Sequence, residues 1–340
     1  MLVLRYIRAA SSRSLWSIAI ALWLAFAAGE AGAAEPAPLR VMVFIGAQNL
    51  PIYAGIAKGI FEKRGVKVDL RFTPNSDVMR NGLAAGEFDI AHSAVDNAVH
   101  MVESAGQDVI IVLGGDSSMN EFFVQPEIKS LRDLRGKVVA VDAPNTAYAL
   151  LAKKILLMNG LKEGADYTVK PVGGSAARMK AVLADKELAA VVLNVPFSIL
   201  ATRGGLKSMG RTVDLLGPYQ ATGAYVMRPW AQANGPVLER YLAAYVEALR
   251  WAMQPANRAE SLALLVERVK LSQDVAEQAY DLMREPKFGL ATDARFDPEG
   301  FRNLLAIRAE MEGQWGGKPP ASGKYYDLQY YDRAIKTLGR

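Results

Sequence analysis

The 340-residue sequence predicts an α/β protein of two parallel-sheet lobes with a cleft between them, joined by two crossing strands. Two observations predict it. Between Leu39 and Ser93, alternating or apolar runs and amphipathic segments follow one another as strand, helix, strand, helix, strand, with short connections. That order implies a parallel sheet covered by helices. Beyond Gln125 the same succession begins again and runs to Leu193, which implies a second lobe of the same architecture.

The first series is read in order. Leu39–Ile45 alternates and ends apolar, as a strand does, and Gly46–Leu50 is a polar loop. Pro51 to Lys63 forms a helix with Ile52, Ile56, Ile60 and Phe61 on one stripe, closed by Gly65. Val66–Phe72 is the second strand, Asp77–Ala85 a helix stopped at Gly86, and Phe88–Ala91 the third strand. A helix begins near Ser93, Val109–Leu113 is a strand, and Gly114–Ser118 is a turn cluster. Glu121–Gln125 reads as a short strand and the first crossing.

In the second series, Ser130–Lys137 is a helical turn stopped by Gly136, and Val138–Val141 is a buried strand. Asp142–Thr146 is a polar loop opening a helix to Asn159-Gly160. Val169–Val172 is a strand, Gly173-Gly174-Ser175 opens the helix Ala176–Ala184, and Ala189–Leu193 is the last strand. Gly86–Ala91 in the first series has a faint echo in Lys186–Val191 of the second. Gly223–Met227 is the second crossing, after which the chain is helical. Pro236–Met253 repeats Leu238, Tyr241, Leu242, Tyr245, Leu249 and Ala252 at helical spacing. Asn257, Ser272 and Asp297-Pro298 each open a further helix, the last ending at Gly313. Each has one apolar stripe, which the first lobe is expected to cover. The expected organisation is a leader at 1–34, the first lobe at 35–124, the second at 125–222, and 223–340 completing the first.

Composition narrows the chemistry. Arg5, Arg8 and Arg13, an apolar run from Leu15 to Ala28 and small residues through Ala34 follow the plan of a cleavable secretory leader, cut near Ala33–Glu35. The run is shorter than the ~18–20 apolar residues of a membrane anchor, and no Cys follows it to carry a lipid. A free periplasmic protein is expected. With no cysteine in the chain, disulfides, a thiolate nucleophile and thiolate metal ligands are excluded. Loss of the leader reduces the net charge from +5 to +3, spread along the chain with no basic run for nucleic acid.

The segments Pro51–Val68, Ala85–Ile90 and Leu131–Val141, with Tyr326–Gln329 and Ala334 in the tail, together resemble the periplasmic substrate-binding proteins of ABC importers. Within them the chain is most similar to the nitrate, sulfonate and taurine binders and the thiamine-pyrimidine-synthesis-like proteins. The resemblance implies a type II periplasmic binding protein that closes on a small-molecule ligand and docks on an ABC permease and its ATPase, with no cofactor and usually as a monomer. It also has departures. Ala189 stands where the group commonly has an acid, Val195-Pro196 where it has Glu-Pro, and the Gly46–Leu50 loop lacks the Trp and His of pyrimidine binders. The family's synthase and desulfinase enzymes, which resemble this fold, rely on cysteine, which is missing here. A sensor subunit for a membrane receptor, or an enzyme on the same fold, are the alternative readings.

Ligands of parallel sheets sit at the carboxyl ends of strands, and the candidate site residues follow from that. Gln48 and Asn49, beside Leu50, offer amide donors and acceptors after the first strand, or else cap the next helix. Tyr53 faces a ligand or the core. Ser93 and Asn97 sit where a helix begins, Ser93 also reading as a plain cap, and His92 lines the cleft. Asn145 and Thr146 follow a buried strand and open a helix, so free N–H groups and the positive end of the helix dipole favour a carboxylate, sulfonate or phosphate. Ser175 repeats that arrangement one strand later. Asn194 and Phe197 flank Pro196 at a strand end, and Asn120 and Thr222 precede the two crossings, where they would sense closure. No fixed Lys or Arg is evident between the two helix N-termini, which suggests one weak anion or a neutral polar group. Tyr53 and Phe197 would supply an apolar wall. A small organic acid or sulfonate is expected.

Catalytic and metal motifs are absent from the sequence. His92 and His100, the only histidines, are eight apart and do not share a helix face as i and i+4 would. Asp116 beside Ser117 and Ser118 has no histidine placed as base. None of the glycine pairs 114–115, 173–174 and 204–205 continues as a phosphate loop.

Overall fold

The computed structural model describes residues 35–339; the expected leader lies outside them. Two five-stranded sheets are present, each with parallel strands to one side and a reversed strand inserted. The first contains β1 (Ala37–Val43), β2 (Val66–Phe72), β3 (Ile90–Ala94) and β4 (Val109–Gly114). The second contains β5 (Asn120–Val124), β6 (Val138–Val141), β7 (Thr168–Pro171), β8 (Leu188–Asn194) and β9 (Lys207–Arg211). β10 (Thr222–Met227) returns to the first sheet. The orders are β2-β1-β3-β10-β4 and β7-β6-β8-β5-β9, so the two sheets share one pattern.

β1 runs parallel to β2 and β3, and β6 parallel to β7 and β8. The reversed strands are those read as crossings. β5 lies antiparallel between β8 and β9, and β10 antiparallel between β3 and β4. The chain passes between sheets twice, around 115–119 and 217–221, so the carboxyl ends of the parallel strands face one another. β9 has no sequence counterpart above. Lys207, Ser208, Gly210 and Arg211 make it polar, and it is an edge strand paired on one side with none of its residues buried, so it carries no hydrophobic alternation.

Local chemistry explains the helix limits. The expected helix over 51–63 is broken into α1 (Leu50–Ala57) and α2 (Ile60–Lys63), because Gly59 takes a left-handed φ of 63°. α3 (Ser76–Ala84) is capped by the Asn75 side chain, which accepts the Val78 N–H. α4 (Asp96–Ala105) ends at left-handed Gly106. In the second lobe, α5 (Ala147–Met158) and α6 (Ser175–Ala184) follow β6 and β7, and α7 (Phe197–Arg203) follows β8. α8 (Thr212–Leu216) and α9 (Arg228–Ala233) flank β10.

The long α10 (Gly235–Met253) buries Leu238, Tyr241, Leu242 and Val246 against Val41, Ile52, Phe61 and Ile110 of the first lobe. α11 (Arg258–Val269) and α12 (Gln273–Met283) share a cluster with Ala47, Leu50 and Tyr53 that also takes in Val195 and Ile199 of the second lobe. In α13 (Pro298–Glu312) the Asp297 carboxylate caps the Glu299 N–H, and Gly313 ends the helix. α14 (Gln329–Lys336) packs Tyr330 and Ala334 on the first core. Among the described residues no helix is long and apolar enough to cross a membrane.

Candidate functional site

The strand ends of both lobes enclose a cavity of about 60 Å³. The first lobe supplies Phe44, Gln48 and Asn49 after β1 and His92, Ser93 and Ala94 from β3. Ser76 and Asn97 come from the starts of α3 and α4, Thr222 from β10 and Tyr245 from α10. The second lobe supplies Asp142 after β6 and Thr146, Ala147 and Tyr148 at the start of α5. Gly174, Ser175 and Arg178 come from the start of α6, and Asn194 from the end of β8.

Two helix N-termini meet there. In α5 the Leu150 N–H is bonded back to Thr146 O, and in α6 the Arg178 N–H to Gly174 O; the donors of the preceding turn lack partners within the helix. Thr146 Oγ1 donates to Ala143 O at 2.8 Å and so closes its own turn. Arg178, one turn into α6, folds back over that end. Its Nη1 donates to Gly173 O at 2.7 Å, and its Nη2 donates to Ser175 Oγ at 2.9 Å and Val192 O at 3.2 Å. Arg178 as a whole is 2 % exposed. Burial pushes its pKa down, with Asp142 acting in the opposite sense. All of those acceptors are neutral, so the charge has no carboxylate in contact among the described residues. This corrects the expectation that no fixed cation stands between the two helix starts. The i to i+3 spacing of Ser175 and Arg178 puts both on one face, and that signal was available in the sequence.

Asp142 is the second residue the sequence reading did not single out. It is the first residue after β6, and its Oδ2 accepts the Ser76 N–H at 3.2 Å from the other lobe. Its Oδ1 has no hydrogen-bond partner among the described residues, nor has Asn194 Oδ1. Asn194 Nδ2 donates to Gln48 Oε1 at 3.4 Å, again between lobes. A further contact, Gly174 N–H to Pro74 O at 3.0 Å, completes a closed arrangement.

On the first-lobe side Ser93 Oγ pairs with Tyr225 OH at 2.7 Å, and Asn97 Nδ2 donates to Ser93 Oγ and Ser76 Oγ. Arg80 holds Asn97 Oδ1 at 3.3 Å. His92 bonds Tyr241 OH through Nε2 at 2.8 Å and stacks on Tyr245 with ring centroids 4.9 Å apart. Burial lowers its pKa to about 3, so it stays neutral near pH 7. Thr222 Oγ1 donates to the buried Asp116 Oδ2, while Asp116 Oδ1 accepts the Ser118 and Met119 N–H groups. One carboxylate thus ties both crossings together, and burial raises its pKa.

The expected site residues divide accordingly. Gln48, Asn49, His92 and Ser93 line the cavity from one side and Thr146, Ser175 and Asn194 from the other, with Thr222 at the crossing. Asn49 also spends its amide inside its own loop, donating to Phe44 O at 2.6 Å. Five expected residues lie off the cavity. Leu50 and Tyr53 are buried in the cluster under α11 and α12, and Phe197 in the second-lobe core. The aromatic wall is instead Phe44, Tyr148 and Tyr245. Asn120 is buried beside the first crossing, its Nδ2 donating to Ser118 Oγ at 3.0 Å. Asn145 sits outside the cavity, where its Oδ1 and O accept from Arg80 and Arg308 of the other lobe at 3.5 Å each. Among the described residues no group of His, Cys, Asp and Glu is arranged to hold a metal ion.

Two crossing strands, matched sheets and a cavity at facing strand ends define a two-lobed fold of the periplasmic-binding-protein type. Residues 32–266 match the NMT1-like family, and the chain belongs to that family. The chain is similar in fold to a protein of Bordetella bronchiseptica RB50, with TM-score 0.77 and 20 % identity over 89 % of this chain and 98 % of that one. It is similar to the periplasmic nitrate-binding protein NrtA of Synechocystis PCC 6803, with TM-score 0.74 and 15 % identity over 90 % of each chain. The alkanesulfonate-binding protein SsuA of Xanthomonas axonopodis pv. citri, bound to MOPS, matches with TM-score 0.67 and 18 % identity over 88 % of this chain and 98 % of that one. No curated protein matches the chain in sequence.

Proposed function

We propose that the protein is a periplasmic solute receptor. It captures a small organic acid or sulfonate between its lobes and delivers it, as a monomer, to an ABC permease and its ATPase. The observation that carries this reading is Arg178, a buried cation on the cavity wall whose hydrogen bonds all go to neutral acceptors at a helix N-terminus. An anion brought there would receive the guanidinium and backbone N–H groups together. The nitrate- and alkanesulfonate-binding neighbours support an anionic ligand. Binding without turnover is supported by the histidines. His92 is engaged with Tyr241 and His100 with Arg308, so neither is presented to a nucleophile as a base.

A thermal-shift screen of the chain from Glu35 tests the reading, using carboxylates, sulfonates, nitrate and amino acids on wild type and Arg178→Gln. A ligand at 100 times its Kd adds ~2.7 kcal/mol. The expected result is a clear rise in Tm for one anion class that Arg178→Gln removes. A rise that survives in Arg178→Gln would refute this placement of the ligand.

A further inference from the structure

The contact between Tyr241 and His92 fixes where a proton sits. Tyr241 is fully buried on α10, and the one hydrogen-bond partner of its hydroxyl among the described residues is His92 Nε2 at 2.8 Å. A neutral imidazole has one N–H and one bare nitrogen. If Nε2 carried the proton, the phenol O–H would be left without an acceptor where water does not reach, which is costly. The phenol therefore donates, Nε2 accepts, and the ring proton sits on Nδ1. His100 has the opposite form. Its Nδ1 lies 3.2 Å from Arg308 Nη2, and a guanidinium only donates, so Nδ1 is bare and Nε2 carries the proton.

His92 Nδ1 also keeps accessible surface. It has no hydrogen-bond partner among the described residues, yet it is not one of their enclosed unpartnered atoms. The ring is half-buried and borders the cavity. Its orientation is held on several sides. Tyr245 stacks on it at 4.9 Å, the Tyr241 ring meets it edge-on at 5.8 Å, and Phe61 backs Tyr241 at 5.4 Å. Two further hydrogens on the cavity wall are uncommitted. Ser76 Oγ accepts from Asn97 and Ser175 Oγ from Arg178, and neither hydroxyl has an acceptor for its own proton among the described residues.

We infer that Tyr241 is a positioning residue: it fixes His92 as the Nδ1–H form, and the first lobe thereby presents a neutral N–H donor to an acceptor atom of the ligand. This rests on the receptor reading and adds to it a contact made by the first lobe. With Ser76 on the same lobe and Ser175 and Arg178 on the other, both lobes offer donors to one small cavity. The accessible nitrogen, being protonated, has no lone pair for a ligand N–H.

Nitrogen NMR of the chain from Glu35, with labelled histidine, reads the proton directly, because protonated and bare imidazole nitrogens resonate far apart. The chain has two histidines, and His100→Gln assigns them. At pH 7 without ligand, His92 is expected as the Nδ1–H form and His100 as the Nε2–H form. In Tyr241→Phe, which keeps the ring but not the hydroxyl, His92 should move toward Nε2–H. Tyr241 does not border the cavity, so its hydroxyl reaches a ligand only through His92. Affinity for whichever of nitrate, acetate and methanesulfonate raises Tm should fall about three- to ten-fold in that variant. The same anion should move the His92 Nδ1 resonance of the wild type. A wild-type His92 in the Nε2–H form overturns the inference and leaves the receptor reading standing, as does an anion that raises Tm without moving Nδ1. If none of the three raises Tm at millimolar concentration, the anion reading and this contact fall together. The wild-type spectra decide the matter by themselves if Tyr241→Phe does not fold.

Discussion

Asp142 in the second lobe accepts the backbone N–H of Ser76 in the first at 3.2 Å. Ser76 opens α3, so the carboxylate rests against the positive end of that helix. One side chain thereby joins the lobes and faces the cavity. Asp142→Ala removes both roles and should weaken the closed form by ~1–3 kcal/mol. Small-angle scattering of the ligand-saturated protein should then give a larger radius of gyration than wild type. Unchanged scattering would mean the contact does not hold the lobes.

Arg178 should not be replaceable by lysine. Its fork reaches Gly173 O, Ser175 Oγ and Val192 O together, whereas an ammonium is a single point of charge on a flexible stem. Both Arg178→Lys and Arg178→Gln should weaken ligand binding by roughly 10–100-fold, the worth of a charged hydrogen bond. Titration calorimetry of the two variants measures this, and full affinity in the lysine variant would contradict the geometry.

Gly174 is a closure sensor of another kind. A Cβ there would stand 3.0 Å from a Phe44 ring carbon and 3.3 Å from Pro74 O, both across the cleft. Its φ of −61° suits any L residue, so the backbone is not strained. Gly174→Val should therefore fold normally and close poorly. Its ligand affinity should drop about ten-fold or more, with the unliganded Tm nearly unchanged.

Arg308 and Asp96 form a fully buried ion pair at 2.9 Å. Burial pushes the Asp96 pKa up, and Arg308 opposes the shift. Arg308→Met would leave a buried carboxylate without its partner and should cost ~3–5 kcal/mol in urea unfolding. Adding Asp96→Asn should recover part of that loss. A double variant no more stable than the single one would mean the charge is not what matters.

His92 makes stability depend on pH. Its folded pKa of about 3 lies below the ordinary 6.5, so the unfolded chain takes up the proton first. The stabilisation is complete above about pH 6.5 and is lost as pH falls toward the folded value. The part lost between pH 7 and 5 is about 2 kcal/mol. His100, lowered to about 4, acts in the same direction. His92→Gln should flatten the acid side of the Tm-against-pH curve while lowering Tm at pH 7. The buried Asp96 and Asp116, whose pKa values are raised, act in the opposite direction, so equal changes in Tm from pH 7 to 5 in wild type and His92→Gln are the result that would contradict the burial of this ring.

The alternation of strands and helices, the two-fold repetition of the series and the identity of the crossings were legible in the residues, because periodicity and capping act within a few positions of the chain. The strand-end positions followed from the same reading, and Gln48, His92, Ser93, Thr146, Ser175, Asn194 and Thr222 do border the cavity. Which of those side chains face inward was not a local property. Leu50 follows Asn49 directly and Tyr53 stands one helical turn from it, but α11 and α12, some 200 residues later, draw them into an apolar cluster. Tyr245 belonged to a helical stripe by spacing, and the packing of α10 beside β3 brings it to the cavity through His92. The two buried charges belong to the tertiary structure as well. Arg178 turns back on its helix because Gly173, Ser175 and Val192 place three acceptors there. Asp142 meets Ser76 only where the second lobe closes on the first. By itself the sequence determined the fold and several of the strand-end positions that border the cavity. The placing of the buried charges on the cavity wall was decided in part by contacts between residues distant in the chain, Asp142 with Ser76 and Arg178 with Val192, whose energies have no local signature.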